Sequence, residues 1–487
     1  MQKRVQEPVN GEAIYQQYCA SCHGADRLGS TGPALLPENL KRLRPQQAVT
    51  VIGEGRAATQ MPGFGDQLSM QQIQAVSDLI YTPLPTVPSW DIDQMKATHQ
   101  HYVDQASLPS TPGYKADPLN LFTVVEAGDH SVTILDGDSF QSLWRFKSRF
   151  ALHGGAKYSP DGRFVYLGSR EGWVSKYDLY SLQLVAEIRV GINMRNIAVS
   201  GDGKWVAAGN YLPHSLVILD AVTLAPLQYI DVRDDQGQSS RVSAVYAAPP
   251  RKSFIVALKD IPEVWEISYG SESAAASADF SAIGRISLDD YLDDFFFDQD
   301  YTQVFGASRD GVHGVVYQLD TGRKIANLDL AGMPHLGSGI TWNYQGRSVM
   351  ATPHLKEGKI SVIDMSNWQT LKVIQTQGPG FFMRSHENTP YAWTDVFFGP
   401  NRDLLHIIDK RTLEIVKTLN PEPGKTNAHV EFTRDGKYAL VSVWEDEGAL
   451  VIYDATSFEE VKRIPMKKPV GKYNVWNKIS YSAGTSH

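Results

Sequence analysis

Pro160-Asp161-Gly162-Arg163-Phe164-Val165-Tyr166-Leu167-Gly168, followed closely by Val174-Ser175-Lys176-Tyr177-Asp178, is one copy of a unit that recurs through most of the chain. A tight Asp-Gly turn opens a short β run, and a second run closes on aspartate. Runs closing on aspartate recur at Val132–Asp136, Leu216–Asp220, Val316–Asp320, Ile360–Asp364, Leu405–Asp409 and Leu450–Asp454. Val264–Ile267 stands where a further copy belongs but lacks the aspartate. The preceding strands begin near Phe122, Phe164, Trp205, Phe254, Val304, Val349, Tyr391 and Tyr438, 41 to 50 residues apart. Gly201-Asp202-Gly203-Lys204, Arg309-Asp310-Gly311 and Arg434-Asp435-Gly436-Lys437 repeat the turn chemistry. Short antiparallel strands at this period predict a β-propeller, and eight strand starts predict eight blades. Gly270–Ala282 is of low complexity and reads as a surface loop.

Upstream, prolines 83, 85, 88, 109, 112 and 118 punctuate residues 82–118, which blocks long regular structure there. A short helix around Ile92–Gln105 is expected within this linker. The division predicted is residues 1–85, a linker over 86–117, and a propeller over 118–487.

The first 85 residues read as a small helical domain. Gly11 to His23 forms an amphipathic helix with Ile14 and Tyr18 four apart. Ser69 caps a second helix running to Tyr81, with Ile73, Val76 and Ile80 on one face. The two cysteines of the chain, Cys19 and Cys22, stand directly before His23. This is the haem c attachment pattern. Two thiols add to the two vinyl groups of a haem, and the adjacent imidazole reaches the iron. A redox pair would not need the histidine, and a zinc site would need four ligands. Gln60-Met61-Pro62-Gly63-Phe64 supplies the best sixth ligand, because a thioether is a soft donor for haem iron. Met70 competes with Met61 but sits at a helix start. The Gly29–Pro33 loop can approach the haem edge closely. The domain is therefore expected to be an all-α class I cytochrome c, with covalent haem c held by Cys19, Cys22, His23 and Met61.

The 487 residues suggest about two to four domains, and 42% apolar with 21% charged residues is ordinary for a globular protein. A net charge of −8 argues against a nucleic-acid partner. No stretch approaches the ~20 apolar residues that span a bilayer. Met1 is followed by Gln-Lys-Arg-Val and no apolar run, so the start reads as mature or recombinant. Haem is attached to c-type cytochromes outside the cytoplasm, so a periplasmic location is expected.

A propeller is a scaffold, and its central channel mouth is the default binding place. His153, His335, His386 and His429 lie in the loops that lead into blades, at corresponding places. A lone histidine is more often structural; several at equivalent positions converge on one axis, where ligation or acid–base work becomes an equal reading. Arg149, Arg195, Arg241 and Arg384 share the register, and convergent guanidinium groups suit carboxylates. Taken singly, each arginine reads as a surface ion pair.

The chain resembles the cytochrome cd1 nitrite reductase family over almost its whole length, a haem c domain preceding an eight-bladed propeller that holds haem d1. The segments carrying the resemblance are residues 29–35, Met61-Pro62-Gly63-Phe64-Gly65, Val206-Ala207-Ala208-Gly209-Asn210-Tyr211 and residues 469–476. The resemblance implies that His153 ligates the d1 iron, that Arg195 and Arg241 lie near d1 carboxylates, and that His335 matches one of two distal histidines. It departs at Tyr291-Leu292-Asp293-Asp294-Phe295, where Asp293 stands in place of the second distal histidine, and at His429, a position where the reductases carry no histidine. That pattern resembles the branch of the family that completes haem d1 synthesis. The branch converts a propionate of dihydro-haem d1, bound non-covalently, into the acrylate of haem d1.

The resemblance implies an oxidoreductase of haem d1 biosynthesis in denitrification. Electrons would pass to haem c and an external acceptor, and cytochrome cd1 nitrite reductase would receive the product. His429 is the first candidate base and His335 the second. A non-catalytic haem d1 carrier or assembly scaffold, and a cytochrome cd1-type nitrite reductase, are the alternatives.

Overall fold

The aspartate that closes each repeat is a turn residue. In the computed structural model the runs of the first unit and its copies are the third strands of blades, among them Ser131–Asp136, Trp173–Asp178, Ser215–Asp220, Lys359–Asp364, Leu405–Asp409 and Gly448–Asp454. The Asp178 carboxylate accepts from the Ser181 N–H at 3.1 Å and the Ser181 hydroxyl at 2.6 Å, and Asp220 and Asp364 engage Thr223 and Ser366 in the same way. Four residues past the aspartate the chain is left-handed, at Phe140, Leu182, Leu224, Trp368, Leu413 and Phe458. In five of these turns that residue's N–H returns to the aspartate carbonyl at 2.7–2.9 Å. The side chain thus closes the hairpin into the fourth strand. One copy departs from expectation: the strand Gly314–Gln318 ends before Asp320, and Gly322 closes that turn onto the Gln318 carbonyl.

The structure describes residues 9–30, 32–41, 43–55, 61–269, 280, 283–308 and 313–480. Among these, the strands form eight antiparallel sheets in chain order. The Asp-Gly turns at Gly162, Gly203 and Gly436 join first to second strands, with φ of 75°, 71° and 74°. The turn Arg309-Asp310-Gly311 lies outside the described residues, as does residue 270–282 except Phe280. Inner strands such as Leu121–Glu126 are buried throughout, whereas the outer strand Gln369–Gln375 is exposed at all but one position. Closure, which the repeat pattern does not reveal, comes from the C-terminal strand. Pro469–Asn474 pairs antiparallel with Leu121–Glu126, so one blade joins the two ends of the propeller.

The helical region contains Gly11–Tyr18 and Ala20–His23, interrupted at Cys19 rather than continuous to His23 as expected. Met70–Ile80 begins after Ser69, whose hydroxyl accepts from the Gln72 N–H, and it buries Ile73, Val76 and Ile80. Pro45–Glu54 is an additional helix that the sequence reading did not name.

The proline-rich connection is not a free tether. Ile92–Thr98 is helical, and Gln100–His101 pairs with Glu187 and Ala186 as a fifth strand on a blade edge. The helical region sits on the propeller face formed by the loops between fourth and first strands and between second and third strands. Glu171 accepts from the Ala34 N–H at 2.7 Å, Arg189 donates to the Leu28 carbonyl at 2.6 Å, and Asn39 donates to the Ile192 carbonyl at 3.1 Å. Ala34 and Leu36 pack there against Ile192 and Leu212.

Candidate active site

Cys19 and Cys22 lie one helical turn apart and are not disulfide-bonded. The His23 imidazole is buried, and its Nδ1–H donates to the Pro33 carbonyl at 2.7 Å. That bond sets the tautomer, leaving the Nε2 lone pair for a ligand, and burial lowers the pKa so that the ring is neutral. Gly32 is required at this contact: a Cβ there would stand 2.8 Å from the His23 ring. Met61, Cys19, Cys22 and His23 line a cavity of about 980 Å³ whose walls here are apolar, with Leu40, Ile52 and Phe64 prominent. This donor set fits a haem c, two thiols for attachment and a His and Met for the iron. Met70, the competing sulfur, is exposed on its helix start. Gln60 and Thr31 lie outside the described residues.

The same cavity continues to the propeller, where Arg170, Arg195, Lys147 and Tyr211 line it. His153 stands behind this wall on a loop made tight by Gly154 and Gly155, whose φ values are 82° and 74°. Its Nδ1–H donates to the Arg195 carbonyl at 2.8 Å, and its Nε2 accepts from Arg170 at 2.9 Å and Arg195 at 3.2 Å. Both guanidinium groups thus cap that lone pair. Arg195 also donates to the Ser243 carbonyl at 2.8 Å and comes within 4.0 Å of Asp294. Arg170 and Asp294 were not singled out from the sequence.

The other arginines differ from one another. Arg241 is held by Asp260 through two bonds of 2.8 and 2.5 Å and lies over the Tyr211 ring. It remains close to the mouth but already has a carboxylate partner. Arg149 pairs with Glu187 at 3.1 and 2.8 Å and stacks on Trp173, the ion-pair reading rather than the shared one. Arg384 is buried within the strand Met383–Ser385.

His335 is reached from a loop turned by Gly332 and Met333, both left-handed. Its Nδ1–H donates to the Phe381 carbonyl at 2.6 Å and its ring lies 4.2 Å from that of Phe381. His429 is buried in the strand Asn427–Phe432, at a register break and with φ of 54°. Its ring lies 4.8 Å from Phe382 and 5.2 Å from Tyr473. Phe382 is also 6.2 Å from His335, so the two histidines flank one aromatic ring from two blades. Burial lowers the pKa of both; for His429 the fields of Lys472, Arg384 and Lys478 push it well below the usual value. Both are therefore neutral near pH 7.

His386 does not join this group. It follows the strand Met383–Ser385, at the hairpin between first and second strands, on the opposite face of the propeller. There its Nδ1 accepts from the Asn388 N–H at 3.1 Å, and it packs against Gly436. The expectation of four equivalent histidines is thus corrected to three, because the blade's first strand starts three residues earlier than its loop suggests. Asp293 has its backbone in the strand Leu292–Phe297, but its side chain lies outside the described residues. The described carboxylate facing Arg195 is Asp294, which accepts from the Tyr246 hydroxyl at 2.9 Å. A register shift between Leu292 and Phe295 reorients this segment.

Residues 116–478 match the family model described as Cytochrome D1 heme domain, and residues 6–80 match that of Cytochrome C oxidase, cbb3-type, subunit III. The chain is 57% identical to the dihydro-heme d1 dehydrogenase of Pseudomonas aeruginosa, over 98% of this chain and 96% of the relative. It is 25% identical to the nitrite reductase of Stutzerimonas stutzeri, over 98% and 94% of the two chains, and 29% identical to Protein NirF of Pseudomonas aeruginosa, over 72% and 90%. A solved structure of dihydro-heme d1 dehydrogenase NirN in complex with DHE superposes with a TM-score of 0.94 at 57% identity, over 96% of this chain and all of the other. With a helical cytochrome region facing an eight-bladed propeller, and with its identity to these proteins, the chain belongs to the dihydro-heme d1 dehydrogenase family of oxidoreductases built on the cytochrome D1 heme domain.

Proposed function

We propose that the chain dehydrogenates one propionate side chain of dihydro-haem d1 to the acrylate of haem d1, in the periplasm, as the closing step of haem d1 biosynthesis. Family membership supports the place in haem d1 biosynthesis. The observation that carries the reaction is the pair of imidazoles, His429 and His335, that reach the same Phe382 ring from two blades.

The conversion of CH2–CH2 to CH=CH releases two protons and two electrons. A neutral imidazole is the form that accepts a proton, and His335 has its Nδ1–H committed to Phe381, so its Nε2 is the accepting atom. His429 is the first base, with His335 as the second. His153 offers its Nε2 to the iron of the macrocycle. Arg195 and Arg170, beside that atom, hold macrocycle carboxylates, and Arg241 stands at the same mouth. Binding an anionic macrocycle also offsets the positive field that Lys472, Arg384 and Lys478 set up around His429. Cys19 and Cys22 would hold haem c through their thiols, and His23 and Met61 would supply nitrogen and sulfur donors to its iron. Bound there, haem c supplies a one-electron carrier between the substrate's electrons and an external acceptor. Cytochrome cd1 nitrite reductase is the recipient of the product. No helix among the described residues is long and apolar enough to cross a membrane.

The test is anaerobic incubation of the haem c-loaded chain with dihydro-haem d1 and an oxidised acceptor. The expected product has the absorbance of haem d1 and a mass lower by two hydrogens. A bound macrocycle of unchanged mass would make the chain a carrier or assembly scaffold. Turnover of nitrite with a reduced donor would make it a nitrite reductase.

A further inference from the structure

We propose that Asp395 is a positioning residue for both histidines, clamping the backbone from which each is held. The inference rests on the dehydrogenation proposed above, although its first readout does not.

Asp395 ends the strand Tyr391–Asp395 and is 1% exposed. A carboxylate so placed must be satisfied by hydrogen bonds, and its partners here are backbone N–H groups. Oδ1 accepts from Phe381 at 2.7 Å and from Phe382 at 3.1 Å, while Oδ2 accepts from Phe382 at 3.2 Å and from His429 at 3.3 Å. The Phe381 peptide is thus held at its N–H by Asp395, and its carbonyl receives His335 Nδ1–H at 2.6 Å. His429 is held at its N–H by Asp395 and at its carbonyl by Lys472, whose Nζ also bonds the Ser442 hydroxyl at 2.9 Å.

His429 needs such a clamp. Its φ of 54° lies in the left-handed region, which a histidine occupies only when its surroundings over-determine it. The strand pairing that would otherwise fix it is broken there, with no register partner between Ala428 and Glu431. Only the ionised carboxylate offers acceptors on both oxygens, and no other side chain of this size does. Burial raises the Asp395 pKa to about 7 against the pull of its N–H partners, so the clamp is complete above that pH and exchange and conversion are read there. Asparagine matches the shape but turns one acceptor into a donor. Facing three N–H groups, it must abandon either the Phe381–Phe382 side or the His429 side.

Asp395→Asn therefore has two expected effects. In the substrate-free protein, amide hydrogen exchange at Phe381, Phe382 or His429 speeds up by ~10-fold or more, while strands elsewhere keep their protection. With dihydro-haem d1, the rate of conversion falls ~10- to 100-fold, as displacement of a catalytic group by about 1 Å does, while macrocycle affinity stays within ~3-fold. In a chain carrying His335→Ala and His429→Ala together, adding Asp395→Asn changes the residual rate less than ~2-fold. Parent-like exchange at all three amides would overturn the clamp. Parent-like conversion, or the same fractional loss repeated in the chain without either histidine, would overturn the positioning role. If Asp395→Asn does not fold, Lys472→Met releases the other end of the His429 peptide and must slow conversion with affinity retained; parent-like conversion there overturns the inference. If the parent itself converts nothing, the proposed function has failed, and the exchange measurement still decides the clamp.

Discussion

His23 and His153 are fixed in the same way and face opposite surroundings. Each donates Nδ1–H to a backbone carbonyl, Pro33 for one and Arg195 for the other, and so presents a lone pair at Nε2. Around His23 the cavity wall is apolar and two thiols stand beside it. Around His153 the lone pair meets two guanidinium groups. An apolar pocket with thiols suits a group that is attached once and kept. A cationic pocket suits an anion that binds, is read by its charge, and leaves. Under the proposed function these are the ends for a resident carrier and for an exchanging substrate.

The largest expected effect breaks the resident end. Cys19→Ser with Cys22→Ser should abolish covalent attachment, so that acidified acetone extracts all haem from the denatured chain; haem retained on the chain would require another attachment site. Met61→Ala sharpens the same end. It should remove the sulfur-to-iron charge-transfer band of the oxidised protein and lower the reduction potential. An unchanged band would assign the sixth ligand elsewhere. At the exchanging end, His153→Ala should alter the spectrum of bound dihydro-haem d1 and weaken binding ~10-fold or more, while leaving the haem c spectrum as it is. An unaltered macrocycle spectrum and affinity would reduce His153 to a packing residue.

The smallest effect concerns the seam between the two ends. Glu171 is buried against the Ala34 N–H, and burial raises its pKa to about 7 from 4.5. A carboxyl whose folded pKa exceeds its unfolded value binds protons more tightly when folded. Its stabilising effect is complete below pH 4.5 and is lost as pH rises toward about 7. The loss is on the order of 3 kcal/mol. Glu171→Gln should flatten the pH dependence of the melting temperature over that window. A slope equal to the parent's would place the titration on another group.

How much of this was legible follows from distance along the chain. Cys19, Cys22 and His23 are neighbours, so their chemistry is written in five residues. The blades were legible because most repeats turn on their own aspartate, as Asp178 and Asp220 do. The channel is different, since its residues come from separate blades. Arg170 reaches His153 from a second-to-third-strand hairpin, a place with no repeat signal of its own. Asp395 and Lys472 look like ordinary strand charges until burial pairs them with the backbone of His429. His386 shared the spacing but lies past the end of a three-residue strand, and so on the other face. Whether a histidine stands before a first strand or after it decides the face, and periodicity does not fix strand ends that closely.

Histidine base catalysis is tested most directly by the rate of haem d1 formation in His429→Ala, His335→Ala and the double variant. Loss of a positioned base typically costs ~10²–10⁴ in rate. His429→Ala should bind dihydro-haem d1 with a near-parent spectrum yet convert it slower by that order, with His335→Ala less affected. A larger loss in His335→Ala would exchange the two roles. Near-parent rates in both single variants and in the double variant would contradict the account.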